Sequence, residues 1–139
     1  MFLVFIFKKK SLSSCKGGDD QPEDLKSALE VVLDEKKMQW GPTNLKFLII
    51  LTDSPCHGTQ YHNLGPKKDN FPNEDMTPLL IQLANKNIKV IGIKFTEIVS
   101  KMFIEFTKWI SGTLGDFIEI DMLEFEDYRK KKGQKPNQE

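Results

Sequence analysis

The side chains that could carry chemistry are concentrated directly after one apolar run. Residues 45–51 are apolar except for Lys46, and Thr52, Asp53 and Ser54 come directly after them. A run of this length and composition predicts a strand that is buried on both faces, as in a parallel sheet. Because open parallel sheets bind ligands at the carboxyl ends of their strands, Asp53 is the first residue to consider for a site. Its carboxylate could help to bind a hard cation such as Mg²⁺, or it could form an ordinary Asx turn.

Cys56, His57 and His62 lie a few residues further on, and three interpretations of them are open. A thiolate and two imidazoles could bind zinc, although their spacing matches none of the usual structural-zinc patterns. Cys56 could instead be a nucleophile with His57 or His62 as its base. Either the zinc or the thiol chemistry would give a hydrolase that uses Asp53, Cys56, His57 and His62. In the third interpretation Cys56 is a small buried side chain and the histidines brace the loop through hydrogen bonds. For Cys56 this is the interpretation that the sequence favours.

A second candidate is the acidic turn of residues 17–24, which holds four carboxylates within six positions, Asp19, Asp20, Glu23 and Asp24. Capping of the following helix explains one or two of them. The carboxylates beyond that number suggest that the turn binds a cation from solution.

The elements around these residues alternate between strand and helix, which predicts an α/β fold with parallel strands and right-handed crossovers. A helix is expected to begin with Asp20 or Gln21 as its cap and Pro22 in its first turn, and to end at Gly41. The other expected elements are strands at 1–7, 45–51, 88–95 and 116–121, loops at 11–20 and 53–75, and helices at 77–85 and 96–111.

Composition limits the class of protein. The chain has 139 residues and a formal net charge of zero, so it suits one small domain and gives no sign of nucleic-acid binding over its whole length. Two cysteines and no transmembrane segment predict a reducing, cytoplasmic environment. The basic run at 128–132 could make a weak contact with a membrane surface.

Two motifs, GGDDQPEDL at 17–25 and TDSPCHG at 52–58, together with Tyr61 and His62, resemble the von Willebrand factor type A domain. The version concerned is the one attached to alpha-type (atypical) protein kinases. The resemblance covers about residues 16–106, and residues 69–72 and 101–106 fit its later segments.

The resemblance implies a Rossmann-like domain with a metal-ion-dependent adhesion site at the carboxyl edge of its sheet. Asp53 matches the family's last metal-binding aspartate, and Asp19, Asp20 or Glu23 would replace a threonine of its second loop. The family's D-x-S-x-S loop has no counterpart here. The implied function is that of a non-catalytic protein-interaction module in which Mg²⁺ or Mn²⁺ is shared with an acidic side chain of a protein partner.

No kinase catalytic domain is expected, since no glycine-rich phosphate loop with a following lysine occurs. The chain would be a regulatory part of such a kinase, with an uncertain segment at 1–16, a partial type A domain at 17–122 and a polar, basic tail at 123–139. We expect a partial Rossmann-like parallel sheet with flanking helices whose amino-terminal strands are missing. Such a sheet would expose an unpaired apolar edge and make the protein poorly soluble without its partner.

Overall fold

A computed structural model describes residues 2–6, 12–15, 20–40, 46–111 and 116–125. Its strands form one five-stranded sheet of order β2-β1-β3-β4-β5. The strands are β1 (Phe2–Ile6), β2 (Leu12–Cys15), β3 (Lys46–Thr52), β4 (Ile88–Lys94) and β5 (Phe117–Asp121). The helices are α1 (Leu25–Leu33), α2 (Glu35–Met38), α3 (Thr77–Asn85) and α4 (Ser100–Ile110), with 3₁₀ turns at Pro66–Lys68 and Glu97–Val99.

The three strands β3, β4 and β5 are parallel and are connected by α3 and α4. This arrangement confirms the predicted α/β class with a partial Rossmann-like sheet. It also brings the carboxyl ends of β3 and β4 to the same edge, where Thr52 pairs in register with Lys94. The residues that follow each strand therefore meet at one place.

The amino-terminal segment differs from the prediction. β1 confirms a strand at the start of the chain, but residues 12–15, which were expected to lie in a loop, form β2 and pair antiparallel with β1. Ser13 and Ser14 are polar, so the local composition does not predict a strand at residues 12–15. The strand forms because these residues pair with β1, which is a tertiary effect. β1 in turn pairs antiparallel with β3. The sheet therefore continues beyond β3 to the edge strand β2, with β5 at the other edge, and the poor solubility expected from an unpaired apolar edge stays a prediction.

The first helix begins later than its sequence signals suggested. The backbone N–H of Glu23 donates to Pro55 O at 2.9 Å, and this bridge holds Glu23 in an extended conformation. The helix starts only after it, with Asp24 as the cap whose Oδ1 accepts from the backbone N–H of Ser27 at 3.0 Å. Asp34 ends α1 and caps α2, so the long helix expected here is two short ones.

The core lies on one face of the sheet, between β3–β5 and the helices α1, α3 and α4. On this face Leu48, Ile50 and Val90 are completely buried. The opposite face of β3 is not, since Phe47 is 38% exposed, so the expectation that β3 is buried on both faces is wrong. Within the described ranges no helix is long and apolar enough to cross a membrane.

Candidate functional site

The site is the loop between β3 and α3, which starts at the carboxyl end of the sheet. Thr52 begins it, because its hydroxyl donates to Ser54 O and accepts from the backbone N–H of Ser54, which forms a tight turn. Asp53 lies in this turn, and its carbonyl accepts from the Thr96 hydroxyl at 2.6 Å. The loop after β3 is thus fastened to the loop after β4, as a site at a shared strand edge requires.

Asp69 is the centre of this loop. Its side chain is completely buried. Oδ1 accepts from His57 Nδ1 at 2.7 Å and from the backbone N–H of Phe71 at 2.8 Å. Oδ2 accepts from His62 Nε2 at 2.8 Å and from the backbone N–H of Gly58 at 2.9 Å. One carboxylate therefore joins three separate parts of the loop.

The hydrogen bonds also define the proton positions on His62. Its Nδ1 accepts from the backbone N–H of Leu64 at 3.3 Å, so the proton is on Nε2, which donates to Asp69. His57 donates to Asp69 through Nδ1. Both histidines are buried and brace the loop, as in the third of the three interpretations left open by the sequence.

The ionised form of Asp69 is strongly favoured. Burial by itself raises the pKa of this carboxyl, but the hydrogen bonds from His62, His57 and the backbone amides of Phe71 and Gly58 outweigh it and lower the pKa from 3.8 to about 2. The buried charge is therefore maintained at neutral pH by its donors.

A second carboxylate ties the end of the loop to α3. Asp75 Oδ1 accepts from Thr77 N at 2.9 Å, from Gln60 Nε2 at 2.8 Å and from the Tyr61 hydroxyl at 3.1 Å. These contacts, led by the backbone N–H of Thr77, lower the pKa of Asp75 to about 2. The Tyr61 hydroxyl also accepts from Met76 N at 2.8 Å, so the buried ring is fixed in place.

Two further contacts hold the loop in place. Lys101 of α4 donates from Nζ to the carbonyls of Thr59 and His62, at 3.0 and 2.9 Å. Gly58 has a φ of +100°, and a Cβ there would lie 2.2 Å from Glu74 O. The left-handed conformation and this close approach both require glycine.

The acidic turn predicted as a second candidate packs against this loop. Asp20 accepts from the backbone N–H of Asn70 at 2.8 Å, and its Oδ2 lies 3.6 Å from His57 Nδ1. Glu23 is tied to Pro55 by the backbone bridge described above. Residues 17–19 of the same motif lie outside the described residues.

Across the described part of the chain, one group of three side chains could hold a metal ion, namely Asp20, His57 and Asp69. One ligand atom from each lies within 4.8 Å of the others. Of the three predicted metal ligands Asp20 belongs to this group, whereas Asp53 and Glu23 do not, and the metal role of all three stays a prediction. An ion in this group would have to replace the proton that His57 donates to Asp69, so the present arrangement satisfies these atoms without an ion.

Cys56 is completely buried and belongs to the hydrophobic core. Burial raises the pKa of its thiol well above the ordinary value. This confirms the prediction of a small buried side chain, and it leaves the alternative of a thiol-dependent hydrolase without an accessible nucleophile.

The outer surface of the loop carries Phe71, which is 58% exposed. Its ring meets His57 edge-to-face with the centroids 4.9 Å apart. Beside it lies a cavity of about 310 Å³ between α1 and the loop. The cavity is lined by Asp24, Lys26, Ser27, Glu30, His57, Phe71 and Glu74.

The sequence pattern assigned no role to Asp69, although the segment that contains it was noted. The available signal was an aspartate 12 residues after His57 and 7 after His62, in a loop that also contains Asp53 and Asp75. Such spacing does not show which carboxylate the imidazoles contact, because the answer depends on how the loop closes.

Comparison with known proteins shows similarity to part of a protein kinase. Over 117 residues the chain is 33% identical to alpha-protein kinase vwkA of Dictyostelium discoideum. The match takes in 78% of this chain and 18% of that kinase, so the chain spans less than a fifth of its relative's length. No protein-family model matches the chain, and no solved structure does either.

Proposed function

We propose that this chain is a non-catalytic protein-interaction module of the von Willebrand type A kind, and that it recognises its partner at the carboxyl edge of the sheet. Its similarity to a segment of a protein named alpha-protein kinase vwkA supports a regulatory role beside such a kinase. The free, buried Cys56 is consistent with a reducing, cytoplasmic environment.

The observation that carries the proposal is the network around Asp69. A long irregular loop normally loses much conformational entropy when it binds, and this loss weakens association. Here the buried carboxylate accepts four hydrogen bonds and holds the loop in one arrangement before any partner arrives. A rigid edge with Phe71 exposed on it is suited to recognition, since exposed aromatic side chains often dominate binding energy.

The thiol and the two imidazoles of the loop have structural roles. The Cys56 thiol is enclosed in the core, and His57 and His62 each donate to Asp69. A hydrolase would need at least one of them to face a substrate as base, nucleophile or metal ligand.

We further propose that Mg²⁺ or Mn²⁺ binds at this edge through Asp53, with Asp20 and Glu23 contributing from the acidic turn. Asp53 is partly exposed in the turn that follows β3, and Glu23 is tied to Pro55, two residues after Asp53. Carboxylate oxygens are the ligands that both ions prefer. A carboxylate of the partner would complete the coordination of the ion.

The test is the melting temperature and calorimetric titration of the purified chain with Mg²⁺ and with Mn²⁺. A ligand at about a hundred times its dissociation constant stabilises the folded state by about 2.7 kcal/mol, which is easily measured. We expect the wild type to be stabilised and Asp53→Asn to lose the effect. Asp116→Asn is the matched control, because Asp116 is exposed and pairs with Lys89 outside this loop.

Asp69→Asn separates the two metal arrangements. If the ion is held by Asp20, His57 and Asp69, then Asp69→Asn abolishes binding whereas Asp53→Asn does not, and the proposed role of Asp53 is wrong. If neither ion binds the wild type, the metal-dependent part of the proposal is refuted.

A further inference from the structure

The cavity between α1 and the loop carries an excess of negative charge. Its volume of about 310 Å³ is enough for one long side chain or a small ligand. Among its described lining residues Asp24, Glu30 and Glu74 are acidic, and Lys26 is the single lysine or arginine. Asp24 is engaged as the cap of α1, so Glu30 and Glu74 are the carboxylates that a ligand would meet. The cavity is therefore suited to a cation.

The carboxylate of Glu74 is only partly satisfied. Its Oε2 is buried and accepts no hydrogen bond, and in the described part of the chain no other buried side-chain nitrogen or oxygen lacks a partner. Its Oε1 lies 3.4 Å from Lys26 Nζ, which is longer than a charge-assisted hydrogen bond. The Lys26 side chain is 41% exposed, so it can turn away into solvent. Because a buried carboxylate oxygen without a donor is unfavourable, a ligand that supplies N–H donors would be stabilised here.

Phe71 adds an aromatic surface to the same cavity. Its side chain is 58% exposed, and the face of such a ring attracts cations. A guanidinium group is planar, so it can stack on a ring and donate to a carboxylate at the same time, whereas an ammonium group is a strongly hydrated point charge. A second hollow of about 350 Å³ shares Lys26, Phe71 and Glu74 with the cavity. It leaves room beside the ring for the peptide backbone that carries such a side chain.

We propose that this cavity binds the guanidinium group of an arginine side chain, which stacks on Phe71 and pairs with Glu74. Its N–H groups supply the donors that Glu74 Oε2 lacks, and Glu30 adds a second negative charge on the exposed side of α1. The contact goes beyond the proposed ion site at Asp53, since it takes a basic group and needs no metal. Two sources can supply the group, namely another protein and Arg129, the one arginine of this chain, which lies outside the described residues.

The experiment is an NMR titration of the isotope-labelled chain with N-acetyl-arginine amide, in the presence of a chelator. We expect saturable shifts of the amide signals of Phe71 and Glu74, with a dissociation constant of about 1 mM, which is ordinary for so small a ligand. N-acetyl-citrulline amide, which has nearly the same shape without the charge, should give no saturable shift. N-acetyl-lysine amide should bind at least about threefold more weakly, because an ammonium group is more strongly hydrated.

Three substitutions test the contacts in both directions. Glu74→Gln should raise the dissociation constant at least about tenfold, since it removes the charge that pairs with the guanidinium. Phe71→Leu should raise it about threefold, because the ring is lost. Lys26→Gln should lower it about threefold, because Lys26 competes for Glu74. Glu35→Gln is the matched control: it removes an exposed carboxylate that pairs with Lys86 outside the cavity, and it should leave the dissociation constant unchanged.

The outcomes are distinct from those of the ion titration, since Asp53→Asn should bind N-acetyl-arginine amide as the wild type does. Arg129→Gln identifies the source: a lower dissociation constant shows that the chain's own arginine competes for the cavity, and an unchanged one assigns the group to another protein. The inference is overturned if neither the wild type nor Arg129→Gln binds saturably, if the citrulline or lysine compound binds equally well, or if Glu74→Gln binds as tightly as the wild type. Should Glu74→Gln fail to fold, as judged by circular dichroism, unchanged binding in both Lys26→Gln and Phe71→Leu overturns it instead.

Discussion

Replacing Asp69 with asparagine tests the scaffold on which the proposed function depends. Asparagine keeps the shape of the side chain but removes its charge and turns one acceptor oxygen into a donor. Two of the four hydrogen bonds to Asp69 are then lost, and an NH₂ group faces buried N–H donors. The variant should still fold, but with a large loss of stability.

The magnitude can be obtained from the structure in two ways. Each buried donor left without an acceptor costs about 1–3 kcal/mol, so two orphaned donors cost about 2–6 kcal/mol. Independently, a pKa held at about 2 instead of 3.8 corresponds to about 2.5 kcal/mol of stability. We therefore expect Asp69→Asn to lower the free energy of unfolding by about 3–4 kcal/mol, and the melting temperature by roughly 10 °C in a chain of this size.

The assay is urea and thermal unfolding followed by circular dichroism, with and without a chelator. Asp116→Asn serves as control and should change stability by less than about 0.5 kcal/mol, since it breaks an exposed ion pair. If Asp69→Asn lowers the free energy of unfolding by less than about 1 kcal/mol, the four hydrogen bonds do not hold the loop in place. That result would contradict the rigid loop on which the proposed function depends. A loss seen only without chelator would assign Asp69 to metal binding instead.

Three other results are expected. The stability difference between wild type and Asp69→Asn should be fully present above about pH 4 and shrink as the pH falls towards 2, because the folded pKa of Asp69 lies below its unfolded value; a pH-independent difference in acid unfolding curves would contradict this. Gly58→Ala should destabilise the protein by more than about 2 kcal/mol, since its Cβ would meet Glu74 O at 2.2 Å, and a melting temperature equal to that of the wild type would be inconsistent with the described loop. The Cys56 thiol should react with a thiol reagent only as fast as the protein unfolds, whereas rapid modification of Cys56, located by mass spectrometry in the native protein, would show that it is accessible.

The α/β class could be predicted because strand and helix periodicities are local. The runs at 88–95 and 116–121 located β4 and β5 within one or two residues, and the Thr77-Pro78 signal marked the start of α3. The wrong predictions concern features that depend on contacts between distant parts of the chain. β2 forms because β1 pairs with it, and α1 starts late because Glu23 bridges to the loop after β3.

The sequence likewise predicted only part of the candidate site. The buried, structural role of Cys56 was predicted, because free cysteine is commonly a small buried side chain, whereas the bracing role of the histidines was one of several open interpretations. Asp69 received no role, since its contacts with His57 and His62 depend on loop closure. The partial exposure of Phe47 on β3 could not be foreseen either, because an apolar run looks the same whether one side or both sides of the strand are covered.

The proposed function requires that the edge near Asp53 recognise an acidic group of a protein through a shared ion. The decisive measurement is the affinity of the chain for acidic peptides, chosen by selection from a random peptide library in the presence of Mn²⁺. We predict enrichment of peptides with aspartate or glutamate, binding that disappears with chelator, and loss of binding in Asp53→Asn with retention in Asp116→Asn. Selection of peptides without acidic residues, or acidic peptides that bind equally well without the ion, would contradict the proposed recognition.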